Sequence, residues 1–186
     1  VAYYKRSLKT ACDTINEKKK TKALKDVIGA AFEEHRRRLW EYFGFTVDKK
    51  QHQASWNVDW TIYKNGKLIA FEEDKGHYVD SCFLERALTG AARTVNTYLE
   101  NKESVPCIIL HSFTTYSKFS QKLDEFCDIL KPELVNILKE KLIYTTLYTG
   151  NRLSTKKWFQ SVADAYVYHG DDDLIKKDII FIQSLM

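Results

Sequence analysis

The chain has 186 residues, 44% of them hydrophobic and 13% aromatic, which is enough apolar surface for one domain with a real core. Seven glycines, two prolines and 29% charged residues exclude collagen-like, linker-like and disordered architectures. No apolar run approaches the ~20 residues of a membrane span, and the opening Val1-Ala2-Tyr3-Tyr4-Lys5-Arg6 lacks the apolar stretch of a secretory signal. A net charge of +4, from 29 basic and 25 acidic residues, permits a polyanionic partner without arguing for one. Cys12, Cys82, Cys107 and Cys127 show no CxxC spacing. They read as free thiols, small hydrophobes in the core of a cytoplasmic protein, and not as a zinc site.

Residues 1–21 are polar and lysine-rich, with Lys18-Lys19-Lys20 near their end. From Lys22 to Phe43 the apolar residues Leu24, Val27, Ile28, Ala31, Phe32, Leu39 and Phe43 recur at helical period, and Gly44 is placed to end the helix. A strand is expected from Phe45 to about Gln53. A second, Trp56 to Tyr63, alternates with period two. Asn65-Gly66 is a strong hairpin signal, and Lys67 to Lys75 is the return strand. A helix follows from Asp80 or Ser81 to about Glu100. Val105 to His111 is a continuous apolar run, the pattern of a strand buried on both faces. Ser117 to Leu130 reads as helix, and Pro132 opens another through Lys141. Leu142 to Tyr148 is β-branched and aromatic, hence a strand. Helix is expected again around 154–168, then a break at Gly170-Asp171-Asp172-Asp173 and an apolar tail at 179–182. The order predicts one α/β domain over 1–186: a mixed central sheet, flanked by helices, whose first three strands form a meander.

One constellation carries chemistry: Asp59 on one hairpin strand, and Glu73-Asp74-Lys75 on its partner. Strand side chains alternate, so Glu73 and Lys75 share a face. Whether Asp59 joins them depends on the turn. A regular two-residue turn sets Asp59 opposite Glu72, on the wrong face. A three-residue turn, or a bulge, restores it to the face of Glu73. Two carboxylates without histidine or cysteine make an oxygen site for a hard cation, Mg²⁺ or Mn²⁺.

Asp59, a gap of 13 residues, and Glu73-Asp74-Lys75 resembles the signature of the PD-(D/E)XK nuclease superfamily. That superfamily includes type II restriction endonucleases, Holliday junction resolvases and some homing endonucleases. The element order over about 22–111 also looks like its αβββαβ core. The chain departs from the pattern at Val58, where the family often has proline. The resemblance implies that Asp59 and Glu73 ligate Mg²⁺ (or Mn²⁺) and that Lys75 serves the nucleophilic water. It implies hydrolysis of double-stranded DNA to 5′-phosphate and 3′-hydroxyl ends. A type II restriction endonuclease acting as a homodimer on palindromic sites is the first expectation. A structure-selective resolvase or homing endonuclease, or a non-catalytic nucleic-acid-binding protein, is the alternative. Many members add a glutamate from the first helix. Glu33, Glu34 and Glu41 are the candidates here, and Glu34, at the border of the apolar face, is preferred.

Basic residues become candidate DNA contacts in this light: Arg36 and Arg37 on the first helix, Arg86 and Arg93 seven apart on the helix after the motif, and His77 beyond Lys75. Lys49, Lys50 and Gln51, in a segment 48–57 that includes His52 and Gln53, carry side chains suited to base edges. Arg152 and Lys156-Lys157-Trp158 form a later basic-aromatic patch. His35 falls in the apolar face of the first helix and reads as a core histidine, and His111 as a polar cap at the end of its strand.

Overall fold

A computed structural model describes residues 24–49, 52–53, 56–75, 81–114 and 116–148, together with 180, 182 and 184. Helix α1 (Leu24–Tyr42) carries the expected amphipathic pattern. Its end is a Schellman motif: Gly44 takes φ +83°, its N–H donates to Glu41 O at 3.0 Å, and the Phe45 N–H donates to Trp40 O at 3.2 Å. The accompanying apolar contact is Trp40 against Phe45, edge to face with centroids 5.0 Å apart.

Two antiparallel pairings follow. β1 (Thr46–Lys49) pairs with β4 (Trp60–Lys64), and β4 with β5 (Lys67–Lys75). Between β1 and β4, the short β2 (His52–Gln53) and β3 (Trp56–Asn57) form a separate two-stranded ribbon. The expected strands 45–53 and 56–63 are therefore each divided. The second breaks at Val58-Asp59, where Val58 is buried and Asp59 occupies a bend.

Asn65 and Gly66 both take positive φ, +52° and +75°, the signature of a two-residue type I′ turn. The turn pairs Lys64 with Lys67 and Tyr63 with Leu68, after which the register shifts so that Ile62 faces Ala70 and Trp60 faces Glu72. Ile69 is the extra residue of a β-bulge. Of the two routes that would set Asp59 beside Glu73, the chain takes the bulge, not the three-residue turn.

Helix α2 (Ser81–Glu100) crosses to β6 (Cys107–Thr114), parallel to β5. Helices α3 (Phe119–Cys127) and α4 (Pro132–Lys141) then lead to β7 (Leu142–Tyr148), parallel to β6. The result is a five-stranded mixed sheet in the order β1-β4-β5-β6-β7. Helix α1 covers one face, with Phe32 stacked on His111 at 5.0 Å and Arg36 and Trp40 bonded to Glu72. The opposite face packs against α2, α3 and α4 in two buried clusters, one around Ala91, Val95, Ile108 and Leu138, the other around Leu84, Leu88 and Leu110. Because β6 continues to Thr114, His111 is a buried mid-strand residue and not an end cap. Cys107 and Cys127 are partly or fully buried free thiols, whereas Cys82, expected in the core, is exposed on the first turn of α2. No helix among the described residues is long and apolar enough to cross a membrane.

The basic segment 1–21, the helix expected at 154–168 with its basic patch, the break at 170–173, Cys12, Lys50, Gln51 and His77 lie outside the described residues, as does the side chain of His35. Of the apolar tail, Ile180 is exposed and Ile182 buried, both helical.

Candidate functional site

The β4–β5 ladder ends at Trp60 paired with Glu72. Asp59 stands one residue further on, so the shifted register sets it across from Glu73. Its carboxylate Oδ2 accepts the backbone N–H of Asp74 at 2.8 Å, filling the place of a ladder carbonyl. An ordered carboxylate is thereby fixed beside the Glu73-Asp74-Lys75 segment. Glu73 pairs in register with Leu110 and Lys75 with Ser112, which puts both on the face covered by α2.

That face opens into a cavity of about 640 Å³ between the end of β5 and α2. Glu73 and Lys75 line it from the strand, and Cys82, Phe83, Arg86 and Arg93 from the helix. The Lys75 ammonium sits 4.7 Å from the centre of the Phe83 ring, a cation–π distance that keeps the amine at the cavity wall. Arg86 and Arg93, two turns apart on α2, thus reach the same space as Glu73 and Lys75, as their spacing suggests. Lys49, at the end of the edge strand, is exposed and pairs in register with Trp60, so it lies at the same end of the sheet as Asp59.

The α1 side of the same strands carries a different set. Arg36 and Glu72, both fully buried, form a bidentate ion pair with bonds of 2.9 and 3.0 Å. The Trp40 indole N–H donates to Glu72 Oε2 at 3.0 Å, and the Trp60 indole N–H to Asp74 Oδ2 at 2.9 Å. Burial, and next the negative charge of Glu72, push the Asp74 carboxyl well above its usual range, against the pull of Arg36. Arg36, expected on the surface, is therefore not exposed to a polyanionic partner. Its guanidinium is consumed inside the protein, because a carboxylate buried at Glu72 requires a fork-shaped cation.

Glu34, the preferred helix glutamate, is not brought to the cavity lining. It accepts hydrogen bonds of 2.7 Å from Arg37 Nη2 and Arg38 Nε, on the helix that covers the other face. Arg37 also bonds Glu41, so one cation ties down two of the three candidate glutamates. The Arg37 hydrogen bond, more than any other influence, holds the Glu34 carboxyl down at about 2. The depressed value means that ionised Glu34 stabilises the fold above the unfolded carboxylate range, about pH 4.5, and that this contribution is lost as the pH falls toward 2. Glu34 is 40% exposed, so solvent screening limits the gain to about 1 kcal/mol. Glu34→Gln is expected to lose that amount at pH 7 and to converge with the parent only as the pH falls through about 2 in urea denaturation.

Among the described residues no three or more His, Cys, Asp or Glu side chains converge as a ready-made metal cage. Mg²⁺ does not need one, since it commonly takes one or two carboxylates and leaves its other positions to water and substrate phosphate. The donor set of Asp59 and Glu73, all oxygen, fits such an ion. The residues that sequence reasoning passed over are Trp60, Glu72 and Asp74. The available signal was three consecutive acids in a strand, where acidic residues are depleted, with tryptophans on the neighbouring strand and on α1. The class of fold is a mixed α/β domain with a bulged hairpin and parallel crossovers. No family model, curated protein or solved structure matches the chain.

Proposed function

We propose that this chain is a Mg²⁺-dependent endodeoxyribonuclease with a restriction-endonuclease-like αβββαβ core, cutting double-stranded DNA as a homodimer in the manner of a type II restriction endonuclease. The order α1, β1, β4, β5, α2, β6 supports the core assignment. The observation that carries the reading is the hydrogen bond that holds the Asp59 carboxylate on the backbone of Asp74, between Glu73 and Lys75, which line a cavity with Arg86 and Arg93.

In this reading Asp59 and Glu73 would hold the divalent ion, Mn²⁺ being an alternative to Mg²⁺. When bound, such an ion activates water and offsets charge on a phosphoryl oxygen. Lys75 orients the attacking water and balances the charge that develops on the phosphate. The water oxygen bonds to phosphorus and gives up a proton to solvent, the bond to the 3′ oxygen breaks, and that oxygen leaves with a proton taken from solvent. Arg86 and Arg93 hold the phosphodiester in the cavity.

Incubation of plasmid DNA with Mg²⁺, and separately with EDTA, tests this directly. Discrete bands with Mg²⁺ alone support a restriction endonuclease. Cleavage confined to branched DNA points to a resolvase. No cleavage of any duplex under either condition rejects the proposal. Arg86→Ala and Arg93→Ala are each expected to weaken DNA binding irrespective of sequence. Each should also flatten the plot of log affinity against log salt by about 0.9 for every phosphate no longer neutralised, as read by anisotropy titrations at several salt concentrations.

A further inference from the structure

We infer that Trp60 and Asp74 form a staple that sets the position of Asp59 relative to Glu73, and that both are positioning residues of the proposed cleavage site. The inference rests on the nuclease reading and extends it to the opposite face of the sheet.

Two hydrogen bonds join the same two stretches of chain. Trp60 donates through its indole to Asp74 Oδ2 at 2.9 Å, and Asp74 donates through its backbone N–H to Asp59 Oδ2 at 2.8 Å. Trp60 directly follows Asp59, and Asp74 directly follows Glu73. Each carboxylate of the site therefore has a chain neighbour in the staple. The regular pairing of β4 with β5 stops at Trp60 and Glu72. Past that point, the staple holds Asp59 against the strand that carries Glu73.

The arrangement is stiff. Trp60 and Asp74 are 3% and 6% exposed, and alternation directs both toward α1, away from the cavity. On the same side of the sheet lies Glu72, clamped by Arg36 and Trp40. An indole N–H and a carboxyl buried together must stay paired, because leaving either unmade costs about 1–3 kcal/mol. Groups that orient the holders of a metal, without touching it, typically change affinity or activity by about 10–100-fold when removed.

Trp60→Phe keeps an aromatic ring and removes the donor. Mn²⁺ binding without DNA, measured by calorimetry, is expected to weaken by about 10–100-fold. In the full chain kcat with Mg²⁺ should fall over the same range, while KM for DNA stays within about twofold. Asp74→Asn retains a side-chain acceptor for the Trp60 indole, which Asp74→Ala lacks, and should lose clearly less Mn²⁺ affinity than Asp74→Ala. Should Trp60→Phe not fold at the assay temperature, as followed by circular dichroism, that Asn-against-Ala difference decides the matter. Wild-type Mn²⁺ affinity and kcat in Trp60→Phe, or equal losses in the two Asp74 variants, would overturn the staple. If the parent cuts, Glu73→Ala does not, and Trp60→Phe behaves as the parent, the staple alone falls. A parent that neither binds Mn²⁺ nor cuts removes the nuclease reading and the staple together.

Discussion

Glu73→Ala should abolish cleavage of plasmid DNA, with a loss exceeding about 100-fold, while DNA binding is kept. The lower bound follows from the effect of removing even an indirect supporter of a metal site, and in the proposed reading Glu73 would touch the ion itself. In the proposed reading binding would depend on cations near phosphates, Arg86 and Arg93 among them, and these remain on α2 in the variant, so it should persist. Removal of a carboxylate that faces a polyanion relieves repulsion, so affinity measured in EDTA should be equal to or tighter than that of the parent. The pair of measurements is a time course of nicking with Mg²⁺ and an anisotropy titration without it. Undiminished cutting by the variant would show that the chemistry lies elsewhere.

Arg36→Ala should be strongly destabilising, by about 3–5 kcal/mol. It strands a fully buried Glu72 carboxylate that keeps the Trp40 indole as a donor but loses its bidentate cation. In a chain of 186 residues this corresponds to a fall of about 10 °C in Tm. The ion pair is not therefore worth that much in itself. Desolvation of the two charges offsets most of their attraction, and well-packed apolar replacements of a buried pair are often neutral or stabilising. The triple variant Arg36→Met, Glu72→Met, Trp40→Phe removes the charges and the orphaned indole together, and should recover most of the lost stability in the same thermal scan. A triple variant as unstable as Arg36→Ala would mean that the network contributes net stability, beyond avoiding a stranded charge.

Arg36 and Glu72 show where local pattern stops being sufficient. Arg36 lies in a run of three arginines, Arg36-Arg37-Arg38, and a run of cations reads as a solvated or phosphate-binding surface. Its burial could not be read from the helix alone, because the acid that requires it, Glu72, is 36 positions away on β5. Glu34 fails to reach the cavity for a nearer reason. Arg37 and Arg38, three and four residues on, are within reach on its own helix and engage it first. Cys82 is exposed since it falls on the first turn of α2, where the helix borders the cavity.

Most elements were legible because their signals are short-range: the period of α1 with Gly44 behind it, the Asn65-Gly66 turn, the apolar run of β6 and Pro132 at the start of α4. The divided strands around residues 45–63 were not. Val58 continues an alternating pattern, yet the chain bends at Asp59 so that its carboxylate can take the N–H of Asp74.

Residue order alone thus establishes the main helices and strands, the place of the hairpin turn, and the parity that groups Glu73 with Lys75, since each depends on neighbours within a few positions. Sidedness across the hairpin is a different matter. One supernumerary residue, Ile69, decides whether Asp59 meets Glu72 or Glu73, and no local preference dictates where such a bulge forms. The burial of Glu72 and Asp74 against Arg36, Trp40 and Trp60 is likewise an outcome of packing α1 onto the sheet. A charge can enter the interior only when its partners arrive there from distant parts of the chain.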